Sequence, residues 1–301
     1  MLRALTALTV VAAVVAAPAS AAANAKPARP KLHQVARNVS WFVVDGGHYA
    51  AWGRDGAGSF TVLDTRTHKR RHFALDGGCT TGGDRAMVGG RLLVYCGDFS
   101  SLWQLLVSMH TGRAKRLPGG VDSWNNLGTR WVEGTAESGN VEVYLNRRTG
   151  HIRRFRARRD SRVRDLDDPK LRVVCGNPGF LFNSSRFYDR RYQVAQPENG
   201  PSRLVIRRRC ARTSRVLDRG NALGPPFLAA GWVSWTKGRF GLLENLRTRK
   251  RWKWRVPHFR ADIGYTQSGQ TRQMLFFAPV QTEDDTSSPL PTSFDVYGAR
   301  L

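Results

Sequence analysis

The sequence is short of acid. Only 23 Asp plus Glu stand against 48 Lys plus Arg, leaving a formal net charge of +25 with His neutral. Lysine is scarce as well, with 8 against 40 Arg. Cysteine is sparse, at four in 301 residues with no CxxC pair, which excludes a disulfide-dense miniprotein and argues against a thiol-redox or zinc-finger module. The familiar catalytic signatures are missing: no GxSxG elbow, no HExxH, no P-loop and no GxGxxG following a strand. No stretch beyond the N-terminal leader sustains an apolar period of 3.6 residues for more than two turns, so a helical fold is excluded. What is abundant points to a folded chain, since 9 Trp, 14 Phe and 41% hydrophobic residues are far from a disordered composition.

The first 21 residues read as a secretory signal, with Arg3 in the n-region, an apolar core of about 14 residues, and small-residue cleavage sites near Ala21 and Ala23. A spanning helix needs about 20 residues, so the leader is too short, and no later segment is long enough to be a transmembrane anchor. Residues 22–32, rich in Ala, Pro and Lys, form a tether, and residues 33–301 a single domain. Export makes an even set of cysteines a disulfide set. Four cysteines allow three connectivities, of which Cys79 with Cys96 and Cys175 with Cys210 is preferred because it closes loops of about one hairpin each.

The domain repeats. Five segments share an apolar alternating run, a turn centred on Thr and then a basic run, with threonines at Thr67, Thr111, Thr149, Thr213 and Thr248. The spacings of 44, 38, 64 and 35 residues average about 45, the length of a four-stranded propeller blade. Within a unit the period is two, as in Val141, Val143 and Leu145 against Glu142 and Tyr144, and more apolar strand pairs lie upstream. The fold class is all-β.

These units resemble the β-propeller superfamily, in particular TolB-like and WD-repeat-like propellers, whose outer hairpins run from a polar residue through Thr-Gly to a polar strand. The pattern is carried by residues 64–69, 110–112 and 146–150, and more loosely by 212–214 and 246–249. It departs from WD repeats proper in having no Trp-Asp dipeptide. The resemblance implies six four-stranded blades, with seven the competing count because of the 64-residue interval. A sixth unit begins near Arg260 and ends short of an outer strand, which residues 31–39 would supply. The fold itself confers no chemistry.

The basic residues concentrate after the turn threonines, at residues 69–71, 113–116, 153–159, 207–215 and 247–255. This places them on the outermost strand of each blade. Cations on an exposed edge protect against edge-to-edge pairing; they also attract polyanions, for which the planar Arg fork suits phosphate. The candidate polyanion site is Arg247, Arg249, Lys250, Arg251, Lys253 and Arg255, with Arg153, Arg154 and Arg156. Trp252 and Trp254 share a face opposite Arg251, Lys253 and Arg255, a pattern expected of core aromatics under a solvated basic face. Asp165, Asp167 and Asp168 lack EF-hand spacing, and their basic neighbours suggest charge pairing; no metal and no cofactor is expected. A general base would require His48 or His258 to meet Asp45 or Asp262. The expected function is an exported, monomeric binding or scaffold propeller whose basic rim attracts an anionic cell-wall polymer, polysaccharide or protein. The alternatives are a hydrolase or lyase on an anionic polysaccharide, and an extracellular nucleic-acid binder.

Overall fold

The computed structural model describes residues 31–54, 56–75, 79, 86–97, 103–157, 164–173, 192–195, 203–209, 211–221, 223–257, 264–281 and 293–301. These contain 23 strands in six antiparallel sheets, five of four strands and one of three. Strand β1 (His33–Val39) is followed by blade one, β2 (Trp41–Val44), β3 (Tyr49–Gly53), β4 (Ser59–Asp64) and β5 (Lys69–Ala74). Blade two is β6 (Ala86–Val88), β7 (Arg91–Cys96), β8 (Trp103–Ser108) and β9 (Ala114–Arg116). Blade three is β10 (Ser123–Leu127), β11 (Trp131–Ala136), β12 (Val141–Asn146) and β13 (Ile152–Arg156). Blade four shows β14 (Tyr192–Ala195), β15 (Arg203–Arg208) and β16 (Arg215–Arg219). Blade five is β17 (Phe227–Ala229), β18 (Trp232–Lys237), β19 (Phe240–Asn245) and β20 (Arg251–Arg255). The last sheet holds β21 (Gly264–Gln270), β22 (Met274–Gln281) and β23 (Phe294–Arg300).

That last sheet is completed from the other end of the chain. Its order is β1-β23-β22-β21, with His33 opposite Gly298 and Val39 opposite Phe294. Residues before the first blade thus supply the missing outer strand, as the sequence pattern required, and the ring closes through backbone hydrogen bonds. First strands of neighbouring blades touch, β2 with β6, β6 with β10 and β21 with both β17 and β2, so they surround the axis and fourth strands form the perimeter.

Blades stack face to face, so both faces of the inner strands are buried. In β11, Val132 packs with Leu93 and Leu106 of blade two, while Trp131 packs with Tyr144, Leu166 and Leu171 on the other face. Residues 164–173, part of the long interval between repeats, therefore fold back over blade three. A bond from the Trp131 indole N–H to the Asp168 carbonyl at 2.9 Å helps to hold them there. Cys79 and Cys96 form the expected disulfide inside the core between blades one and two; Cys175 and Cys210 lie outside the described residues.

The repeated threonine has a structural cause. After each third strand a polar side chain caps the turn: Asp64 Oδ1 accepts the N–H groups of Arg66 and Thr67, Asn146 Oδ1 those of Arg148 and Thr149, and Asn245 Oδ1 those of Arg247 and Thr248. The threonine hydroxyl then accepts the N–H two residues on, from Lys69, Arg113, His151 and Lys250 in turn. Between them the backbone adopts the left-handed region at His68, Gly112, Gly150 and Arg249 (φ 56 to 74°). Short polar side chains that bond their own backbone favour such turns. Blade four departs from this form, with six residues between β15 and β16.

Candidate functional site

Because neighbouring strands are antiparallel, the turns between first and second and between third and fourth strands share one end of the ring. We refer to this as the turn end. The loops between second and third strands, and those linking blades, share the other.

The outer strands are basic, as expected: β5 begins Lys69-Arg70-Arg71, β9 ends Lys115-Arg116, and β13 and β20 read IRRFR and RWKWR. Blade four corrects the expectation. Arg207 and Arg208 belong to its third strand, β15, and only Arg215 and Arg219 of its basic residues stand on the outer strand β16. Arg207 is buried and donates through Nε to Gln193 Oε1 at 3.0 Å, so a basic residue followed by a turn is here an internal strand position.

Several outer-strand cations are structural. Arg70 lies 5.7 Å from the Trp52 ring centroid, Arg153 5.5 Å from Trp131 and Arg251 5.1 Å from Trp235, each reaching from the fourth strand of a blade over the third to cover an indole on the second. Such contacts are worth about 0.5–1 kcal/mol where exposed. Arg251 is further engaged. It donates to Glu244 Oε2 at 2.7 Å and to the Leu217 carbonyl of blade four at 3.0 Å, while Arg215 of blade four donates to Glu244 Oε1 at 2.5 Å. Glu244 itself is 1% exposed, so one buried carboxylate joins two blades through two arginines. Trp254 packs on Phe277 and Trp252 on Trp232, which makes them the core aromatics the alternation implied.

The other candidates remain at the surface. Arg154 extends toward the Gly120 carbonyl at 3.4 Å, Lys253 lies 3.7 Å from the Phe240 centroid, and Lys250 lies 5.2 Å from that of Trp252. Arg156, Arg247, Arg249 and Arg255 are exposed. At the turn end, Arg66, Lys69, Arg113, Arg148, Arg212, Arg247, Arg249 and Lys250 are all exposed beside the third-to-fourth turns, and Arg130 and Arg272 on first-to-second turns nearer the axis. No Asp or Glu among the described residues of these turns is exposed. Burial alone would raise the Asp64 carboxyl, but the Arg66 and Thr67 N–H groups outweigh it and hold it below the ordinary range.

Sequence reasoning missed a polar network on the blade-three face that residues 164–173 approach. Tyr144 Oη lies 2.8 Å from Glu133 Oε1 and 2.9 Å from Glu142 Oε2, and Asn126 donates to the other Glu133 oxygen at 2.9 Å. Arg164 Nε lies 3.6 Å from Glu142. Burial pushes the Glu133 carboxyl up, and the nearby Glu142 charge adds to this. One phenolic hydrogen cannot serve both contacts at once, so Glu133 and Glu142 compete for the Tyr144 hydroxyl as donor. The only signal in the sequence was acid within an apolar strand.

The aspartate cluster is consumed locally: Asp165 pairs with Arg209 at 2.6 Å, Asp168 with Arg172 at 2.7 Å, and Asp167 Oδ1 accepts from the Thr129 N–H and hydroxyl. His48 Nδ1 meets Gln273 Oε1 at 3.2 Å, whereas Asp45 accepts backbone N–H groups from Gly47, Tyr49 and Gly90. The two are not hydrogen-bonded to each other as a base and its orienting carboxylate would be. His258 and Asp262 lie outside the described residues. At the end opposite the turns, a pocket of about 380 Å³ between blades two and three is lined by Trp103, Arg116, Asp122 and Trp124 among others.

No protein family and no curated protein matches the chain by sequence. Solved structures match by shape. The RRP9 WD40 repeats align over 90% of this chain and 97% of theirs at 10% identity, with a TM-score of 0.54. The structure of U3-55K aligns over 89% of this chain and 99% of its own at 11% identity, with a TM-score of 0.51. At such identity the likeness is one of fold, and together with the six antiparallel sheets of the described residues it makes this chain a β-propeller.

Proposed function

We propose that this protein is an exported propeller that serves as a binding scaffold, with a basic rim that holds anionic polymers such as phosphate-bearing wall polymers or acidic polysaccharides. The likeness to WD40 propellers supports the scaffold role, and the N-terminal leader supports export. The observation that carries polymer binding is the repeated cationic turn, present with exposed Arg or Lys beside the third-to-fourth turn of five blades and without an exposed acid beside it. Hydrated cations on rigid turns release polymer counterions on contact, so affinity should fall steeply with salt.

Binding of the purified protein to linear polyphosphate and to heparin between about 50 and 200 mM salt tests this, because several phosphate contacts imply a loss of roughly a thousandfold over that range. Affinity that barely changes with salt, or binding no tighter than that of an unrelated globular protein of equal charge, would count against it.

A further inference from the structure

The charge is arranged as a face as well as a rim. Third-to-fourth turns place Arg66, Lys69, Arg113, Arg148, Arg212, Arg247, Arg249 and Lys250 around the perimeter of the turn end, while Arg130 and Arg272 carry the same charge inward on first-to-second turns. The perimeter turns of blades one, three and five are built alike. Asp64, Asn146 and Asn245 cap them with bonds of 2.9 to 3.3 Å, and a left-handed residue follows the threonine in each. Turns locked in one geometry at equivalent positions of a ring project to a common height. A linear polymer could follow the perimeter but would leave the inner arginines unused, whereas a plane of negative charge meets both sets at once.

The geometry points to the turn end as a docking face for an anionic lipid bilayer, held by headgroup phosphates. This rests on the reading of the basic turns as polyanion-binding, and adds the partner and the face. The opposite end is unlike it, because Asp122 and Glu137 are exposed there among the arginines. Each Lys or Arg near an anionic membrane contributes about 1 kcal/mol, a factor of about five in partitioning, and several rigid cations on one body add without further loss of freedom.

The test is sedimentation of the purified protein with vesicles of phosphatidylglycerol and phosphatidylcholine, and with pure phosphatidylcholine. Two variants of equal charge are compared: R66Q/R148Q/R247Q at the turn end and R156Q/R239Q/R255Q at the other, both first shown to melt as the parent does. The turn-end variant should lose about a hundredfold in binding to anionic vesicles, the other only a few-fold, and pure phosphatidylcholine should bind neither. Equal losses in the two variants would overturn the assignment of the face. Salt-sensitive binding to polyphosphate without binding to anionic vesicles would overturn the bilayer and leave the polymer reading intact, whereas failure of both would remove the two together.

Discussion

Removing the Glu244 carboxylate isolates one structural use of the basic rim. In Glu244→Ala, Arg215 and Arg251 lose three hydrogen bonds to a site that is 1% exposed, and the junction between blades four and five loses its shared anion. Breaking a buried ion pair by deleting one partner costs about 3–5 kcal/mol. Here the arginine side chains are 35% and 41% exposed and can turn to water, so a loss below that range, roughly 2–3 kcal/mol, is expected. For a chain of this size that is a fall of about 3–5 °C in Tm. Arg251→Met should cost less, about 1–2 kcal/mol, because Arg215 still neutralises the carboxylate and the methionine stem still covers Trp235. Urea denaturation of both single variants and the double variant gives the coupling energy directly. A loss below about 0.5 kcal/mol in Glu244→Ala, the level of an ordinary surface change, would refute the claim that these cations are structural.

Three further outcomes follow from the same geometry. Gly150 and Gly112 are both left-handed, but a Cβ at Gly150 would meet nothing within 4 Å whereas one at Gly112 would lie 2.5 Å from the Phe73 ring. Gly150→Ala should therefore cost about 1 kcal/mol from backbone strain alone and Gly112→Ala clearly more, with equal losses by thermal melting arguing against the inter-blade contact. Glu133 has a raised pKa in the fold, so the folded state binds more protons than the unfolded one and stability falls as pH rises from the unfolded carboxyl pKa through the folded one. Glu133→Gln should flatten that decline and be more stable than the parent above it; an unchanged pH profile would contradict the upward shift of the Glu133 carboxyl. Cys96→Ser opens a loop of 17 residues and should lose about 3 kcal/mol, measured by denaturation under non-reducing conditions; no loss would mean the bridge is not formed.

Much of the fold was legible because it is local. Period-two strands and the threonine turns are set by neighbours within a few residues, so Asp64, Asn146 and Asn245 announced their hairpins, and residues 31–39 announced the closing strand by the lack of one at the other end. Blade four was misread because Arg207, held by Gln193 across the sheet, looks in sequence like an outer-strand cation. The division of the rim arginines into structural and exposed sets depends on partners far away in the chain, such as Glu244 for Arg215. The same is true of Glu142 and its contact with Arg164, which no spacing encodes. The turn-end face needed only the antiparallel order of the strands, which the repeat already contained.

The central claim is that the exposed turn cations hold phosphate polymers. It is tested most directly by the slope of log affinity against log salt for linear polyphosphate, in the parent and in R247Q/R249Q/K250Q, whose three exposed cations leave the Glu244 junction untouched. Each lost phosphate contact should shallow the slope by about 0.7, so the account predicts a slope smaller by roughly two; an unchanged slope would contradict it.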